Sequence, residues 1–498
     1  DGKLDTQIGT LALSSGGSAF ISNSTSILID TVGGTSGATA AGDLMIEATG
    51  SIGVNQAFEA TAGTGLLAAL AGSATLDATV TAGSHLSILA SASVTQNANV
   101  SAGGTLDIEA TAGSFAMLDA VTATSTANLR VLAHTSILIG GLAGENIALD
   151  AGTSIDTAGA THIDLTADGV QLIAGSFVGQ AFGAGNGPLQ ASINSLSAEA
   201  VTGGLYLDND KSLTIEPVSA IDVDRVEIDG TPATQAGVAR SEIDVKQSAR
   251  VTADGNLTID SAVDAEEGRL LLKALSGELT VNTSVGSGLD LTALANGAVA
   301  LSATGLFSAG GTLDVQSATA GISMTDGSTA TSVENLRFLA ATDIRLGGLD
   351  AANAYLNAGG AILDNGDSHT DIVATEVQLV AGDEIGEALG TNLGLIETTA
   401  DALAAQAGAG VFVDNSTALA LRTIDPIAVL PNALDEAGVI QAGVTLSGIS
   451  SAGAIILTTE GPLTIEQNVA AATSDLSLIH ISEPTRQEAI SYAVFCLK

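Results

Sequence analysis

The sequence predicts an all-β fold, a parallel β-helix (β-solenoid) made of tandem repeats about 207 residues long. Three observations favour it: a register that recurs along the chain, short segments with strand periodicity, and a length difference between copies that is close to one coil. A string of β-sandwich domains is the alternative that the same pattern allows.

The repeat is visible as identical strings at a constant offset. SAGGTLD occurs at Ser101–Asp107 and again at Ser308–Asp314, an offset of 207 residues. Further along the offset becomes 206, and Gln235–Val238 corresponds to Gln441–Val444. A register held for so long indicates tandem copies of one unit rather than a globule with one active site. The predicted divisions are the C-terminal part of a preceding repeat (1–100), a full repeat (101–307), a second, truncated repeat (308–475) and a final segment (476–498).

Strands are predicted from short segments in which apolar residues occupy positions i and i+2, with Thr, Asp, Ser or Glu between them. Gly, Asn, Asp and Ser cluster between these segments, which is turn chemistry. The best candidate for a helix, Thr398–Ala407, is short and poorly patterned. The segments are GTLDIEA, ANLRVLA, ENIALDA, HIDLTA, GLYLDN, SLTIE, NLTIDS, GRLLLKA and GTLDVQS.

A length difference between the copies favours the solenoid. Asn209 to Asp260 and Asn415 to Glu466 each span 51 residues, whereas the matching stretch from Asn23 to Glu47 spans 24. The missing 27 residues amount to about one coil, which a solenoid can lose because each coil contacts only its neighbours. A surface loop of the same length is the alternative.

The composition excludes several classes of partner. The formal net charge is −41, which argues against nucleic acid and anionic membranes as partners. Aromatic residues make up 2% of the chain and Trp is absent, so the core must consist of Ala, Val, Leu and Ile. The longest apolar run, around Leu66–Ala71, is far too short for a membrane span.

The last stretch differs from the rest of the chain. Residues Leu476–Lys498 contain the single Cys, Cys496, and share no pattern with the repeats. Their sequence resembles the in-frame translation of a transposon-type sequencing-library adapter, in which LSLIHISEPTR and ISYAVFCLK flank a short index. We therefore expect 476–498 to be an artefact and not native, and leave it out of the functional argument. Both ends of the chain are expected to be cut ends of a longer protein.

Calcium is the first ligand to weigh, because oxygen-rich acidic turns suit a hard cation. The nonapeptide of calcium-binding β-rolls and an EF-hand loop are both absent from the sequence, and acidic turns are also ordinary turn chemistry. No cofactor is predicted, with calcium as the possible exception. The weak calcium candidates are Asp208, Asp210, Asp222, Asp224, Asp364 and Asp367.

Two pairs of residues recur at equivalent positions of the repeat. His162 and His369 are each followed two residues later by an Asp, which could form half of a metal site or of a proton relay. An exposed His beside a compensating carboxylate is the interpretation we favour. For Arg130 and Arg337 we expect a structural role, as an ion pair or a ligand of carbonyl groups. No catalytic motif such as GxSxG, HExxH or a P-loop is present, and no catalytic residue is predicted.

The segments GGTLDIEATAGS, NIALDAGTSID, VQLIAGSFVG and AGGAILDNGD resemble those of very large repetitive bacterial surface proteins, namely filamentous-haemagglutinin-like exoproteins and autotransporter-passenger-like adhesins. The resemblance covers nearly all of residues 1–475. It implies export across a Gram-negative envelope, an extracellular or cell-surface location, a stalk-like β-solenoid, and a role in attachment or biofilm.

The predicted function is a structural or adhesive segment of a large secreted or cell-surface repeat protein, a rod-like stalk or attachment surface without catalysis. Glycans, other cells or like chains are the expected partners, and nucleic acid and membrane insertion are not expected. The alternatives are a carbohydrate-active β-helix enzyme, which needs acids and an Arg in a cleft on adjacent coils, and a calcium-stiffened β-sandwich stalk.

Overall fold

Successive coils of a parallel β-solenoid, about twenty in all, make up the protein. The computed structural model describes residues 2–159, 162–181, 185–366, 369–388, 394–430, 441–472, 476–480 and 495–497. The predicted fold class is confirmed, and the β-sandwich alternative is wrong, because strands one coil apart pair in parallel instead of antiparallel. By its internal contacts the chain divides into two compact units, Asp1–Val251 (unit 1) and Thr252–Lys498 (unit 2).

The described residues form strands and no helix, so the alternating segments are strands as predicted, except that in HIDLTA the strand begins only at Leu165. No helix among them could cross a membrane. In chain order the strands are Leu4–Thr6, Thr10–Leu11, Leu13–Ser15, Ala19–Asn23, Ile27–Ile29, Thr31–Val32, Thr35–Ser36, Ala38–Ala40, Leu44–Ala48, Ile52–Val54, Phe58–Ala60, Gly65–Ala69, Ala74–Leu76, Val80–Ala82, Leu86–Ala90, Val94–Gln96, Val100–Ala102, Leu106–Ala110, Phe115–Met117, Thr122–Ser125, Leu129–Ala133, Ile137–Ile139, Gly141–Ala143, Asn146–Ala151, Ile155–Thr157, Leu165–Ala174, Leu189–Ala200, Leu205–Asn209, Leu213–Ile215, Val223–Val226, Pro232–Gln235, Ile243–Val245, Ala249–Ala253, Leu257–Ile259, Val263–Ala265, Leu270–Ala274, Leu279–Val281, Ser284–Ser287, Leu291–Ala295, Val299–Leu301, Leu306–Ala309, Leu313–Ser317, Ile322–Met324, Thr329–Ser332, Asn335–Ala340, Ile344–Leu346, Gly348–Asp350, Asn353–Ala358, Ile362–Asp364, Ile372–Ala381, Ile396–Ala407, Val411–Asn415, Leu419–Leu421, Thr423–Ile424, Ala428–Val429, Gln441–Ala442, Leu446–Ser447, Ile449–Ser451, Ile455–Thr459, Leu463–Ile465, Val469–Ala471, Leu476–His480 and Phe495–Leu497.

A regular coil has three strands, which we assign to faces A, B and C. In unit 1 they are, for example, Leu106–Ala110 (A), Phe115–Met117 (B) and Thr122–Ser125 (C). The equivalent strands of unit 2 begin at Leu313 (A), Ile322 (B) and Thr329 (C). The 207-residue offset relates the two sets, so the tandem repeat is confirmed as a structural repeat.

Side chains alternate along each strand of face A, and the first, third and fifth point inward. Like residues then stack from coil to coil, as Leu86 does on Leu106 and Ile88 on Ile108. The fifth position is Ala in eight successive coils of unit 1, because only a small side chain fits inside the corner where the chain turns toward face B. These residues are Ala48, Ala69, Ala90, Ala110, Ala133, Ala151, Ala174 and Ala200.

The core is mainly Ala, Val, Leu and Ile, as the composition predicts. Four of the nine Phe residues are nevertheless among its largest fully buried side chains: Phe58, Phe115, Phe307 and Phe338. Aromatic residues are few in the sequence, but these four Phe side chains lie in the core, where each removes a large apolar area from water.

The 27-residue length difference is not a coil. In unit 1 Leu196 pairs with Ile215 and Ala198 pairs with Ile243. A step of two residues along one coil therefore corresponds to a step of 28 residues along the next coil. The extra residues, 216–242, interrupt a strand of face A and form an antiparallel hairpin outside the coil, which we call flap 1. The expectation of an extra coil is wrong, and the loop alternative is correct, because the strand resumes in register after the excursion.

Unit 2 has the same excursion. Leu403 pairs with Leu421 and Ala405 with Ile449, again two residues against 28. We call residues 422–448 flap 2; its described parts are 422–430 and 441–448. Each flap folds back over the outer surface of face A of its own unit, where it covers outward side chains that would otherwise be exposed.

Part of the final segment also forms strands. Leu476–His480 pairs in parallel with Ile455–Thr459, and Phe495–Leu497 pairs antiparallel with Leu476–His480. The alternating Leu476 and Leu478 suit a strand whatever the origin of the segment. The proposed adapter origin of 476–498 therefore stays a prediction.

Candidate functional site

Three carboxylates meet at the corner between faces B and C of unit 2, which we call the acidic corner. Asp364 ends the face B strand Ile362–Asp364, and Asp371 directly precedes the long strand Ile372–Ala381. Glu397 lies on the next coil, where Ile372 pairs with Thr398. One carboxylate oxygen from each residue lies within 4.8 Å of the other two.

The acidic corner is buried and only partly satisfied. Asp364 is 1% exposed and Asp371 0%. One oxygen of each is held by the backbone: the Gly366 N–H donates to Asp364 Oδ1 (2.8 Å), and the Glu397 N–H donates to Asp371 Oδ2 (2.9 Å). The other oxygens, Asp364 Oδ2 and Asp371 Oδ1, together with Glu397 Oε2, accept no hydrogen bond from the described residues.

Burial makes three negative charges at this corner unfavourable. Loss of solvent, and then the neighbouring Asp364, raise the pKa of Asp371 far above its usual range. Burial raises the pKa of Glu397 as well. Without a countercharge, therefore, the corner holds protons that carboxyl groups normally release well below neutral pH.

His369 lies beside this corner, between two acids. Its Nδ1 is 2.9 Å from Asp326 Oδ1, and its Nε2 is 3.8 Å from Asp371 Oδ1. In unit 1 the Nδ1 and Nε2 of His162 lie 2.6 Å from Asp119 and 3.1 Å from Asp164. The predicted compensating carboxylate is present in both copies.

The predicted exposure of these two histidines is wrong, because their side chains are only 15% (His162) and 21% (His369) exposed. The second acid beside each His, Asp119 or Asp326, was not predicted from the sequence. Each lies 43 residues before its His, and this constant spacing in both copies is the signal that could have found it.

The same corner in unit 1 carries one carboxylate instead of three. The 207-residue offset places Thr157, Asp164 and Gln190 where unit 2 has Asp364, Asp371 and Glu397. The backbone anchor is unchanged, since the Gln190 N–H donates to Asp164 Oδ2 at 2.7 Å. Burial raises the pKa of Asp164 to about 7. The two corners thus share a scaffold and differ in charge.

The calcium candidates from the sequence do not come together as one group. Asp208 forms an ion pair with Arg250, and Asp210 is exposed. Asp222 accepts a hydrogen bond from the Gly237 N–H (2.7 Å), and Asp224 accepts one from the Thr234 hydroxyl (2.7 Å), both within flap 1. Asp364 belongs to the acidic corner, and Asp367 lies outside the described residues.

Arg130 and Arg337 form the predicted ion pairs, on the outer surface of face A beneath the flaps. Arg130 donates through Nε and Nη2 to Asp107 Oδ1 (3.0 and 2.9 Å). Arg337 donates to both oxygens of Asp314 at 2.9 Å. Both carboxylates are 0% exposed, so each guanidinium compensates a charge that solvent cannot reach.

Two glutamines hold the bases of the flaps. Gln171 Nε2 lies 3.0–3.1 Å from the carbonyl oxygens of Val218, Ser219 and Val238 in flap 1. Gln378 Nε2 lies 2.9–3.2 Å from three carbonyls of flap 2, those of Ile424, Asp425 and Val444. In both copies, therefore, one Gln amide donates hydrogen bonds to backbone carbonyls at both ends of the flap.

Two adjoining clefts, of about 280 and about 210 Å³, flank Arg240 where flap 1 rejoins face A. Arg240 donates to Glu199 at 2.8 Å. Asp150 lines the smaller cleft, and its burial raises its pKa. Acids and an Arg on adjacent coils in a cleft are the pattern that a carbohydrate-active β-helix requires.

Comparison with family models, with curated proteins and with solved structures finds no match for this chain. The resemblance to filamentous-haemagglutinin-like exoproteins therefore stays a prediction.

Proposed function

We propose that this chain is a structural segment of a large secreted or cell-surface repeat protein, a rod-like stalk or attachment surface that performs no catalysis. The observation that supports this most is the parallel register, which continues from coil to coil on both sides of each flap, with like residues stacked over an aliphatic core. Each coil contacts its neighbours, so such a stack gains length without a change of fold.

The charge of the chain supports the choice of partners. A net charge of −41 repels nucleic acid and anionic membranes, and keeps like surfaces apart at low ionic strength. Glycans, other cells or like chains in saline surroundings are the partners that such a surface suits. An extracellular or cell-surface location on a Gram-negative bacterium belongs to the same proposal and rests on the resemblance in sequence.

Small-angle X-ray scattering on the whole chain tests the stalk. If the chain is a stalk, about twenty coils, each rising ~4.8 Å, should give a length on the order of 100 Å and a narrow, uniform cross-section. A jointed profile near twice that length would contradict the stalk. Attachment is tested with beads coated with the chain, applied to glycan arrays and to surfaces carrying the chain itself, with heat-denatured chain as the control. Retention equal to that control would contradict attachment.

A carbohydrate-active enzyme is the second candidate, and the clefts around Arg240 favour it. The test is release of reducing ends from a panel of acidic and neutral polysaccharides, with Glu199→Gln as the matched variant. Release that depends on Glu199 would support an enzyme. The absence of products from the unaltered chain across the panel would leave the structural proposal standing.

A further inference from the structure

We infer that the acidic corner of unit 2, formed by Asp364, Asp371 and Glu397, binds one hard divalent cation of the calcium type. This goes beyond the structural role proposed above, because it assigns a ligand to a defined set of side chains. It also differs from a calcium site built from acidic turns, since two of the three ligands, Asp371 and Glu397, were not among the sequence candidates.

The spacing of the oxygens fits a single ion. Calcium–oxygen distances of 2.3–2.6 Å mean that two ligands of one ion lie at most ~5 Å apart. The three carboxylate oxygens all lie within 4.8 Å of one another, so one ion can contact all of them. Carboxylate oxygens are hard ligands, which favour calcium, magnesium or manganese over zinc or copper. Water and backbone carbonyls would complete the shell.

The second observation is independent of the spacing. Asp364 Oδ2 and Asp371 Oδ1 accept no hydrogen bond from the described residues, although both side chains are at least 99% buried. Buried polar atoms in proteins are normally paired, and an unpaired carboxylate oxygen is especially costly. The partner oxygens are fixed by the Gly366 and Glu397 N–H groups, and the free oxygens belong to carboxylates of the same close group. A cation there supplies the missing partner.

Unit 1 contains a natural control for this site. Its corner has the same backbone anchor on Asp164, but Thr157 and Gln190 replace the other two carboxylates. Thr157 is satisfied locally, since its hydroxyl bonds within its own turn to Gly159, and Gln190 Nε2 donates to the Pro188 carbonyl (3.2 Å). Unit 1 is therefore expected to bind no cation at this corner.

A bound cation would link two successive coils of unit 2. Asp364 and Asp371 belong to one coil, and Glu397 to the next. The ligand would hold the turn between faces B and C against the long strand Ile396–Ala407. Stability should then rise with the concentration of the free cation, as for any ligand that binds only the folded state.

The test is calorimetric titration of the EDTA-stripped whole chain with CaCl₂, MgCl₂ or MnCl₂, combined with thermal unfolding. We expect one calcium equivalent that is lost, or weakened on the order of 100-fold, in Asp364→Thr/Glu397→Gln, because calcium affinity follows the number of charged ligands. This variant gives unit 2 the residues of unit 1. Asp210→Asn/Asp401→Asn removes two exposed charges and should keep the equivalent.

The reciprocal variant, Thr157→Asp/Gln190→Glu, should add a second equivalent in unit 1. No binding by the unaltered chain up to about 1 mM cation would overturn the inference, since that is the weak limit of protein calcium sites. So would an isotherm that Asp364→Thr/Glu397→Gln leaves unchanged, which would mean that the equivalent lies elsewhere. If circular dichroism shows that this variant is unfolded, the single change Glu397→Gln decides, and unchanged affinity there again overturns the inference.

Discussion

The two copies of the repeat hold their flaps in the same way but differ at the corner between faces B and C. Both copies keep an Asp–Arg pair and a Gln beneath the flap: Asp107, Arg130 and Gln171 in unit 1, and Asp314, Arg337 and Gln378 in unit 2. The corner changes from one carboxylate to three. The buried ion pair and the amide that satisfies the flap carbonyls are thus identical in the two copies, while the corner, whose backbone is anchored in both, differs in charge.

The two units differ in which side chains donate hydrogen bonds to the equivalent residues Asp107 and Asp314. In unit 1 Arg225 of flap 1 donates from Nε to Asp107 Oδ2 (2.7 Å), so Asp107 has two guanidinium partners. In unit 2 Asp314 receives Arg337 and the amide of Gln316 (2.7 Å). By the 206-residue offset, Pro431 is the residue of flap 2 equivalent to Arg225, and it lies outside the described residues. The same substitution should therefore have unequal effects in the two units.

The largest effect is expected from Arg337→Met. Among the described residues no other cation then pairs with the buried Asp314, and the loss costs about 3–5 kcal/mol of local stability. Arg130→Met is the matched control and should cost clearly less, because Arg225 still pairs with Asp107. Hydrogen exchange of the strands Leu313–Ser317 and Leu106–Ala110 measures both. Equal losses of protection would show that Arg225 contributes nothing to the charge balance of Asp107.

The next effect is a pH dependence of unit 1. Because the folded pKa of Asp164 is about 7, above its ordinary value of 3.8, its contribution to stability is fully present below about pH 4 and is lost as the pH rises through 7. The change is at most about 4 kcal/mol. His162, Asp119 and Asp156 face this carboxyl group. Asp164→Asn should flatten the profile.

Thermal unfolding between pH 4 and 8 gives the measurement, followed by hydrogen exchange in the strand Leu165–Ala174 so that the change is located in unit 1. Asp210→Asn, an exposed acid, is the control and should leave the slope unchanged. If the profile of Asp164→Asn parallels that of the unaltered chain, another group causes the dependence.

Gln171→Leu and Gln378→Leu should each loosen one flap. The flap carbonyls then lose their amide donor, at a cost of about 1–3 kcal/mol. We expect faster limited proteolysis within residues 216–242 or 422–448, respectively, while exchange in the buried strands changes little. Each variant serves as the control for the other, because the flaps lie in different units. Cleavage at the rate of the unaltered chain would mean that apolar packing alone holds the flaps.

The smallest effect is expected from Val226→Ala at the tip of flap 1. Val226 is 1% exposed and packs against Met45, Leu66 and Ala68, so loss of two methyl groups should cost about 1.5 kcal/mol. Val238→Ala, at an exposed position of the same flap, is the matched control. The two variants are distinguished by chemical denaturation, together with amide hydrogen exchange at residues 223–226. Equal effects would show that the tip is not anchored by this contact.

Much of the fold could be predicted from the sequence. The alternation in segments such as Leu106–Ala110 defines strands, and the offset that relates SAGGTLD at Ser101 and Ser308 defines the repeat. For Arg130 and Arg337 the sequence predicted a structural role such as an ion pair, but not which carboxylate would be the partner. Ion pairs are expected because acidic residues greatly outnumber basic ones in this chain. The position of flap 1 was not predictable, since a hairpin that leaves mid-strand has the same length as a coil.

By itself the sequence determined what repeats locally: strand periodicity, turn residues, a small aliphatic core and a strongly acidic surface. The tertiary structure alone decided which distant residues meet. Asp326 and His369 are 43 residues apart and Asp371 and Glu397 are 26 apart. The first spacing recurs in both copies, but no pattern within a single segment shows that these residues are neighbours. The physical reason is that stacked coils bring together residues one or two turns apart, while the length of each turn determines which side chains share a corner.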